Sequence, residues 1–404
     1  MSDVLLIYPP YTWEMKHPPL GLAYIAAVLE RARYSVSLCD MNPLKLGVED
    51  IGDVIKEHSP KVVGLSSMTP QISTVHHIAQ VVKSIDPSIY VVVGGPHASA
   101  LPDDTLKEYP AIDFTAVGEG EMLMVELVGT LLDGALIFQH IDGLAYRENG
   151  AVRINPLRAP YMDLDAIPLP AWHLLPMDKY SVPGYGGKIS ERTQVILTSR
   201  ACPYQCVFCD SHSIFGRTFR SRSTENIIEE MEFLHQTYGI TQFDFADDMI
   251  TVHRKRLVNL CQAFIERGIP EKIRWMANAR VNTVDPELLK LMKEAGCVRV
   301  DYGMESGDPK VLKAIKKNIT IEQAVEAHRW TKEAGLTVGA FFMVGNLEED
   351  HESAKMTVAL AREIRSDFPS VSIATPFPGT ELYQIAKAKG WLMITDCSKF
   401  DTSP

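Results

Sequence analysis

The sequence predicts an α/β chain in two successive parts, a doubly wound parallel sheet over residues 1–135 and a partial, six-unit β/α barrel over residues 191–392. Three observations predict it. Five short apolar runs alternate with helix-like segments in the first part, and capped strand–helix units repeat in the second. Between them, residues 136–190 carry turn signals in place of a sustained helical or strand period.

In the first part, DVLLIY at residues 3–8 reads as a strand buried on both faces, since it is apolar without alternation. A helix follows over Gly21–Ala32, with Pro18 and Pro19 at its start. Further strands are predicted at Ser35–Cys39, Val62–Ser66, Tyr90–Val93 and Phe114–Val117, with helices at Gly47–His58, Thr74–Ile85, Asp103–Glu108 and Glu121–Leu132. Open parallel sheets bind ligands beyond the carboxyl ends of their strands, and the unusual residues fall there. Ser66, Ser67 and Thr69 follow one strand, Gly94-Gly95-Pro96-His97 the next, and Gly118-Glu119-Gly120-Glu121 the last. Glycine after a strand is common in itself. Three such strand ends together permit the backbone to approach a bulky planar or phosphate-bearing ligand.

The middle stretch opens on a β-hairpin, Gly143–Ile154, with Asn149-Gly150 at its turn. Pro168, Pro170 and Pro176 then prevent regular structure, and Gly184, Gly186 and Gly187 form a loop that either covers a substrate entrance or serves as an ordinary linker.

The second part opens with a strand at Val195–Ser199. A helix capped by Ser223 or Thr224 runs to Tyr238 and ends at Gly239, and a strand follows at Gln242–Ala246. Strands at Arg274–Ala277, Val298–Gly303, Thr337–Val344 and Val371–Ala374 alternate with helices near Arg254–Arg267, Pro286–Ala295, Ile321–Ala334 and His351–Ile364, and the sixth unit closes with Glu381–Lys389. Six units are too few for a closed eight-fold barrel, so a laterally open TIM-type barrel is predicted, with reactive groups at the carboxyl ends of its strands. Asp247 and Asp248, Arg280, and Glu305 with Ser306 stand there. Surface ion pairing accounts for any one of them alone; a shared ligand accounts for all.

The first strand of this part runs into TSRACPYQCVFCD, which places Cys202, Cys206 and Cys209 in a CxxxCxxC cluster. Structural zinc wants four closed ligands. An iron–sulfur cube on three thiolates leaves one iron open. Cys39, Cys261, Cys297 and Cys397 share no metal-like spacing, and His212, three residues past Cys209, is the one nearby fourth ligand for a non-catalytic zinc alternative.

Composition bounds the partners. With 404 residues, 46% of them hydrophobic, the chain is long enough for two domains with substantial cores. A net charge of −11 argues against nucleic acid; the short basic run Arg217–Arg222 reads as a solvated loop or as a hold on an anionic substrate. No apolar run is long enough for a membrane helix and no signal peptide is evident, so a reducing, cytoplasmic setting is expected. Residues 393–404 form a short tail after the last helix, so either the connector completes the substrate pocket or the chain is truncated.

PPLGLAYIAAVLE, VVVGGPHASALPDD and IDFTAVGEGE resemble the Rossmann-like cobalamin-binding domain that precedes many radical S-adenosylmethionine enzymes. CxxxCxxC with Phe208 before its third cysteine resembles the hallmark of that superfamily, over Gln194–Leu392. The resemblance implies a 4Fe-4S cluster on Cys202, Cys206 and Cys209, with S-adenosylmethionine on its open iron and adenine beside Phe208. It implies further that Arg280 meets the carboxylate and Glu305 the ribose, and that Asp247 or Asp248 replaces the usual Gly-Gly-Glu run at the amino group. Ser306 stands beside Glu305, Gly345 with Asn346 ends the fifth-strand motif near the adenine, and TPFPGTELY matches a late motif. Cobalamin is expected at Ser66, Ser67, Thr69, Gly94–His97 and Gly118–Glu121.

One departure stands out. Where histidine-ligating domains carry Asp-x-His-x-x-Gly, this chain has Asp40-Met41-Asn42-Pro43-Leu44-Lys45, so cobalt is expected without a lower histidine, and His97 is expected to shape its loop. By resemblance the activity is methylation of an unactivated carbon through a 5′-deoxyadenosyl radical and methylcobalamin. The alternative is a radical oxidoreductase or cyclase like the anaerobic magnesium-protoporphyrin ester cyclase. A small-molecule or lipid-like substrate, anaerobic conditions and a flavodoxin or ferredoxin electron donor are implied with it.

Overall fold

The computed structural model describes residues 2–11, 17–180, 192–394 and 396–400. They fall into two compact units. The Gly184–Gly187 loop and residues 401–404 lie outside the described residues.

The first unit is built on a seven-stranded sheet. Its strands are β1 (Val4–Tyr8), β2 (Val36–Asp40), β3 (Val62–Ser66), β4 (Tyr90–Gly94), β5 (Phe114–Ala116), β6 (Leu144–Glu148) and β7 (Ala151–Ile154), in the order β2-β1-β3-β4-β5-β6-β7. The first five are parallel and doubly covered. Strand β1 shows why its run is apolar throughout. Leu5 and Ile7 enter one core with Ile72, Val75 and Ile78, while Val4 and Leu6 enter another with Leu22, Leu29, Leu123 and Leu127.

The hairpin expected in a connector extends this sheet instead, β6 pairing antiparallel with β5. Asn149 and Gly150 have φ of 52° and 81°, the two positive values a two-residue primed turn requires.

A second difference concerns Glu381–Ala388, predicted as the last helix of the barrel. With the rest of Phe377–Phe400 it belongs to the first unit. Leu382 and Ala386 are buried, and the turn Cys397–Lys399 packs on Thr69–Gln71 and on the helix Ile72–Ile85.

The second unit holds β8 (Thr193–Ile196), a two-residue ladder of β9 (Ser199–Arg200) with β10 (Arg220–Ser221), and then β11 (Gln242–Phe245), β12 (Arg274–Ala279), β13 (Cys297–Glu305), β14 (Thr337–Val344) and β15 (Phe368–Ile373). Apart from the ladder its strands form one six-stranded parallel sheet in the order β15-β14-β13-β12-β11-β8, the open half-barrel predicted. Helices cover the outer face: Phe245 stacks on Trp275 at 5.1 Å and meets Phe264 edge-on at 6.4 Å. Ser223 caps the helix Thr224–Tyr238, its side chain accepting from Asn226 N, and Gly239 ends it at φ 68°.

Candidate active site

Strand β9 leads into the cysteine loop. Cys202, Cys206 and Cys209 are half-buried and free of disulfides. Cys209 N donates to Cys206 O at 3.2 Å, which folds the last two onto one tight turn. Val207 between them is 1% exposed, and its N–H donates to Ile315 O at 3.1 Å, so the loop is anchored by an apolar side chain and a backbone bond. Burial pushes the Cys202 thiol up, while the Tyr204 N–H and Arg280 act to lower it. A thiolate at Cys202 therefore calls for a cationic centre beside it. Among the described residues no three Cys, His, Asp or Glu side chains converge on a single ion position, and His212 groups with the first unit.

Asp247 was expected at the ligand; it braces the loop's root instead. Fully buried, it accepts from Thr198 N at 2.6 Å and Ser199 N at 3.0 Å, and from both of their hydroxyls at 2.5 Å. Arg256 backs it at 3.8 Å and donates to Thr198 O and Oγ1. Both carboxylate oxygens are thus committed to the strand end just before Cys202. Asp248, next in sequence, is exposed, and its charge acts to raise the Cys202 thiol.

Arg280 lies with its guanidinium over the Tyr204 ring, 4.0 Å from the centroid. It is 4% exposed, and its Nε and Nη2 have no hydrogen-bond partner among the described residues. Glu305 ends β13 at φ 64° and pairs with Lys317, Nζ to Oε1 at 2.8 Å. Lys317 Nζ is in turn 6.0 Å from the Phe208 ring centroid. Sequence reasoning missed Lys317, although a lysine twelve residues past the strand end was its one available signal. Ser306 is buried and shares hydrogen bonds with Thr357 Oγ1 and Asp308 N, both at 3.1 Å, so it builds the turn and is not turned to a ligand. Gly345 has φ 83° and donates its N–H to Glu349 Oε1 at 2.9 Å.

In the first unit the predicted strand ends are laced together through backbone. Ser67 N donates to Gly94 O at 2.9 Å, and His97 N to Ser67 O at 3.0 Å. Gly95, at φ 91°, lies so close that a Cβ there would stand 2.9 Å from Ser67 O. Pro96 opens the short helix Pro96–Ala100, and Ser66 ends β3 beside Gly94. The His97 imidazole is buried at 3.4 Å from Thr69 Oγ1, and burial pushes its pKa down to about 4, so it is neutral at pH 7. Gly118 N donates to Ser99 Oγ at 3.0 Å, and Glu119 accepts from Tyr161 N at 3.4 Å. Gly120 lets Ile25 approach, and Glu121 is buried at the start of its helix.

Asn42 is already engaged. Its carbonyl accepts from Tyr11 N at 2.9 Å, and its amide donates to Pro9 O and Asp40 Oδ1 at 3.2 Å. Asp40 also accepts from the Tyr180 hydroxyl at 2.7 Å, a pairing across 140 residues with no local sequence signal.

Comparison with known proteins agrees with both halves. The B12 binding domain model matches residues 12–128, and that of the Radical SAM superfamily matches residues 196–361. An uncharacterized methyltransferase of Pyrococcus horikoshii is 37% identical over all of this chain and 87% of its own length. The anaerobic magnesium-protoporphyrin IX monomethyl ester cyclase of Rubrivivax gelatinosus is 31% identical over 94% of this chain and 69% of its own. Among solved structures, the radical S-adenosylmethionine methyltransferase TsrM from Kitasatospora setae, with cobalamin and a [4Fe-4S] cluster bound, superposes with a TM-score of 0.79 at 19% identity, over 96% of this chain and 75% of that one. The superfamily match favours iron–sulfur over structural zinc at the cysteine loop. Two domain matches in tandem, with end-to-end likeness to a relative above 30% identity, make this chain an enzyme of the cobalamin-binding radical S-adenosylmethionine family.

Proposed function

We propose that the chain methylates an unactivated carbon of a small-molecule substrate. The observation that carries this reading is the full-length similarity to a methyltransferase, 37% against 31% for the cyclase. When bound, the cluster with S-adenosylmethionine supplies radical chemistry and cobalamin supplies a methyl carrier.

The residues present fit these groups. Three thiols on one short loop suit a cube with one open iron. Arg280 offers two unpartnered guanidinium nitrogens, the donor set a carboxylate takes. In the first unit Gly95 lets two strand ends close on each other through backbone, giving an edge with few side chains, of the kind a broad planar ligand needs.

The chain's own work is then placement. Cys202, Cys206 and Cys209 hold the cluster, and Asp247 fixes the strand end from which their loop departs. Arg280 would orient the carboxylate of S-adenosylmethionine, the Glu305–Lys317 pair would offer its oxygens and ammonium to the ribose, and the Phe208 backbone and Gly345 would flank the adenine. At Asn42, where histidine-ligating domains carry their histidine, this chain would offer cobalamin no imidazole, and the neutral His97 keeps to Thr69. A flavodoxin- or ferredoxin-like donor in a reducing, cytoplasmic compartment supplies electrons. Among the described residues no helix is long and apolar enough to cross a membrane.

Anaerobic reconstitution with iron, sulfide and hydroxocobalamin, followed by turnover with trideuteromethyl-labelled S-adenosylmethionine and candidate substrate pools, tests the reading. Methylation yields 5′-deoxyadenosine, S-adenosylhomocysteine and a product 17 mass units heavier, about the mass of a trideuteromethyl group less one hydrogen. Turnover giving 5′-deoxyadenosine without S-adenosylhomocysteine would hand the chain to the cyclase reading.

A further inference from the structure

Along β11 the side chains alternate. Phe243 is fully buried and Phe245 packs against Trp275 and Phe264 on the helix side, so Gln242 and Asp244 turn to the barrel lumen. The strand register carries that face across the sheet, Asp244 to Met276 to Arg299, and Asn278 to Asp301 to Gly339. On β13 the opposite face holds Tyr302, whose hydroxyl is 2.8 Å from Thr331 on the helix Ile321–Glu333. Arg299 and Asp301 therefore also face the lumen.

The lumen's charges do not balance. Arg299 donates Nε to Asp301 Oδ1 at 2.6 Å and lies over the Phe368 ring at 4.1 Å. Asp244 has no hydrogen bond or close ion pair among the described residues; burial and then the charge of Asp301 push its carboxyl up to about 6, against the opposing pull of Arg299. One guanidinium thus faces two carboxylates.

Two residues deeper on β11, Gln242 is 1% exposed and both polar atoms of its amide lack partners among the described residues. Its register neighbour Thr193, 3% exposed, has an unpartnered hydroxyl. The arrangement is also sterically reserved: a Cβ on Gly339 would stand 2.0 Å from Asp301 Oδ1, so glycine is what admits that carboxylate. A barrel floor needed only for stability is better served by apolar side chains than by a second, half-buried carboxylate that shares one guanidinium and has no hydrogen bond of its own among the described residues.

We propose that this lumen seats a cationic, hydrogen-bond-donating head of the substrate, an ammonium or amidinium nitrogen, with Asp244 as its counter-ion and Asn278, Asp301 and Gln242 as orienting groups. The inference rests on the reading of the chain as an enzyme acting on a small molecule. It narrows the substrate to one with a basic nitrogen and disfavours a purely hydrocarbon head.

The test uses the anaerobically reconstituted full-length protein and three probes of similar size, n-butylammonium, 1-pentanol and valerate, followed by saturation-transfer NMR. Wild type binds n-butylammonium at least tenfold tighter than 1-pentanol, with valerate weakest, and Asp244→Asn removes the preference. Equal binding of ammonium and alcohol in the wild type overturns the proposal and leaves a water-filled floor; that comparison needs no variant to fold. So does a preference that survives in Asp244→Asn. Substrate-free formation of 5′-deoxyadenosine is measured alongside. Its absence with the ammonium preference intact defeats the radical reading alone, and its presence without the preference defeats the ammonium seat alone.

Discussion

At the carboxyl edge of the first sheet the groups presented are mainly backbone, whereas at the rim of the barrel they are charged or ligating side chains. Gly94, Gly95 and Gly118 shape the first edge, Ser67 ties it together through N–H and C=O, and its one imidazole is held neutral. Three thiols, an unsaturated guanidinium and a Glu–Lys pair shape the second. The difference suits the two ligands. A large corrin is held by surface fit, where removing a side chain matters less than adding one. A small charged sulfonium on an iron cluster is held by specific donors, where each deletion leaves a buried partner unsatisfied.

The largest break in that comparison is Cys206→Ala. Iron in the reconstituted protein falls from about four per chain to below one. Formation of 5′-deoxyadenosine falls by roughly a thousandfold or more, while cobalamin retention, measured by gel filtration and absorbance, is unchanged. A parallel loss of cobalamin would show that the two edges are not independent.

Asp247→Ala comes next. It strips four hydrogen bonds from Thr198 and Ser199 and leaves Arg256 buried against no carboxylate. A cost of about 3–5 kcal/mol is expected in denaturant unfolding of the second unit, with iron content falling alongside. Asp247→Asn keeps an acceptor for the two backbone donors and should recover part of both. An Ala variant of full stability that fails only to bind S-adenosylmethionine would restore Asp247 to the ligand.

Arg280→Met probes a single deletion at the rim. It loses the charged donors while keeping a chain to cover Tyr204, so affinity for S-adenosylmethionine should drop by ~1.5–3 kcal/mol, roughly 10- to 100-fold in equilibrium dialysis, at unchanged iron content. An unchanged affinity would assign the guanidinium to Tyr204 alone.

All three residues stand out in the sequence, but the partners of one of them do not. Cysteine spacing is local, and Arg280 stands directly at a strand end. Asp247 stands at a strand end too, yet its donors lie 48 and 49 residues earlier, just past the end of the neighbouring strand β8, and no period or motif points to them. The same limit explains the two displaced elements. Helical spacing puts Leu382 and Ala386 on one face of Glu381–Ala388, and a turn at Asn149-Gly150 shows a hairpin, but neither states which core covers them. Parallel strands were legible because burial on both faces makes their composition uniform. The lumen charges were not, since Asp244 between Phe243 and Phe245 reads as an ordinary solvent-facing residue until the sheet curves and sets Arg299 and Asp301 on the same face.

The smallest effect separates the two edges at matched chemistry. Gly95 and Gly345 both have positive φ, 91° and 83°, and each directly follows a parallel strand. A Cβ on Gly345 meets nothing within 4 Å, so Gly345→Ala bears backbone strain alone, ~1 kcal/mol. Gly95 has ψ of −174°, a region essentially reserved for glycine, and a Cβ there meets Ser67 O, which already accepts from His97 N. Relieving that approach moves the bond that laces two strand ends, so Gly95→Ala should cost ~2–3 kcal/mol in unfolding of the first unit. It should also weaken cobalamin retention about tenfold, while Gly345→Ala leaves it untouched. Equal costs at the two positions would mean that strain alone is being measured and that the first edge owes nothing to close backbone approach.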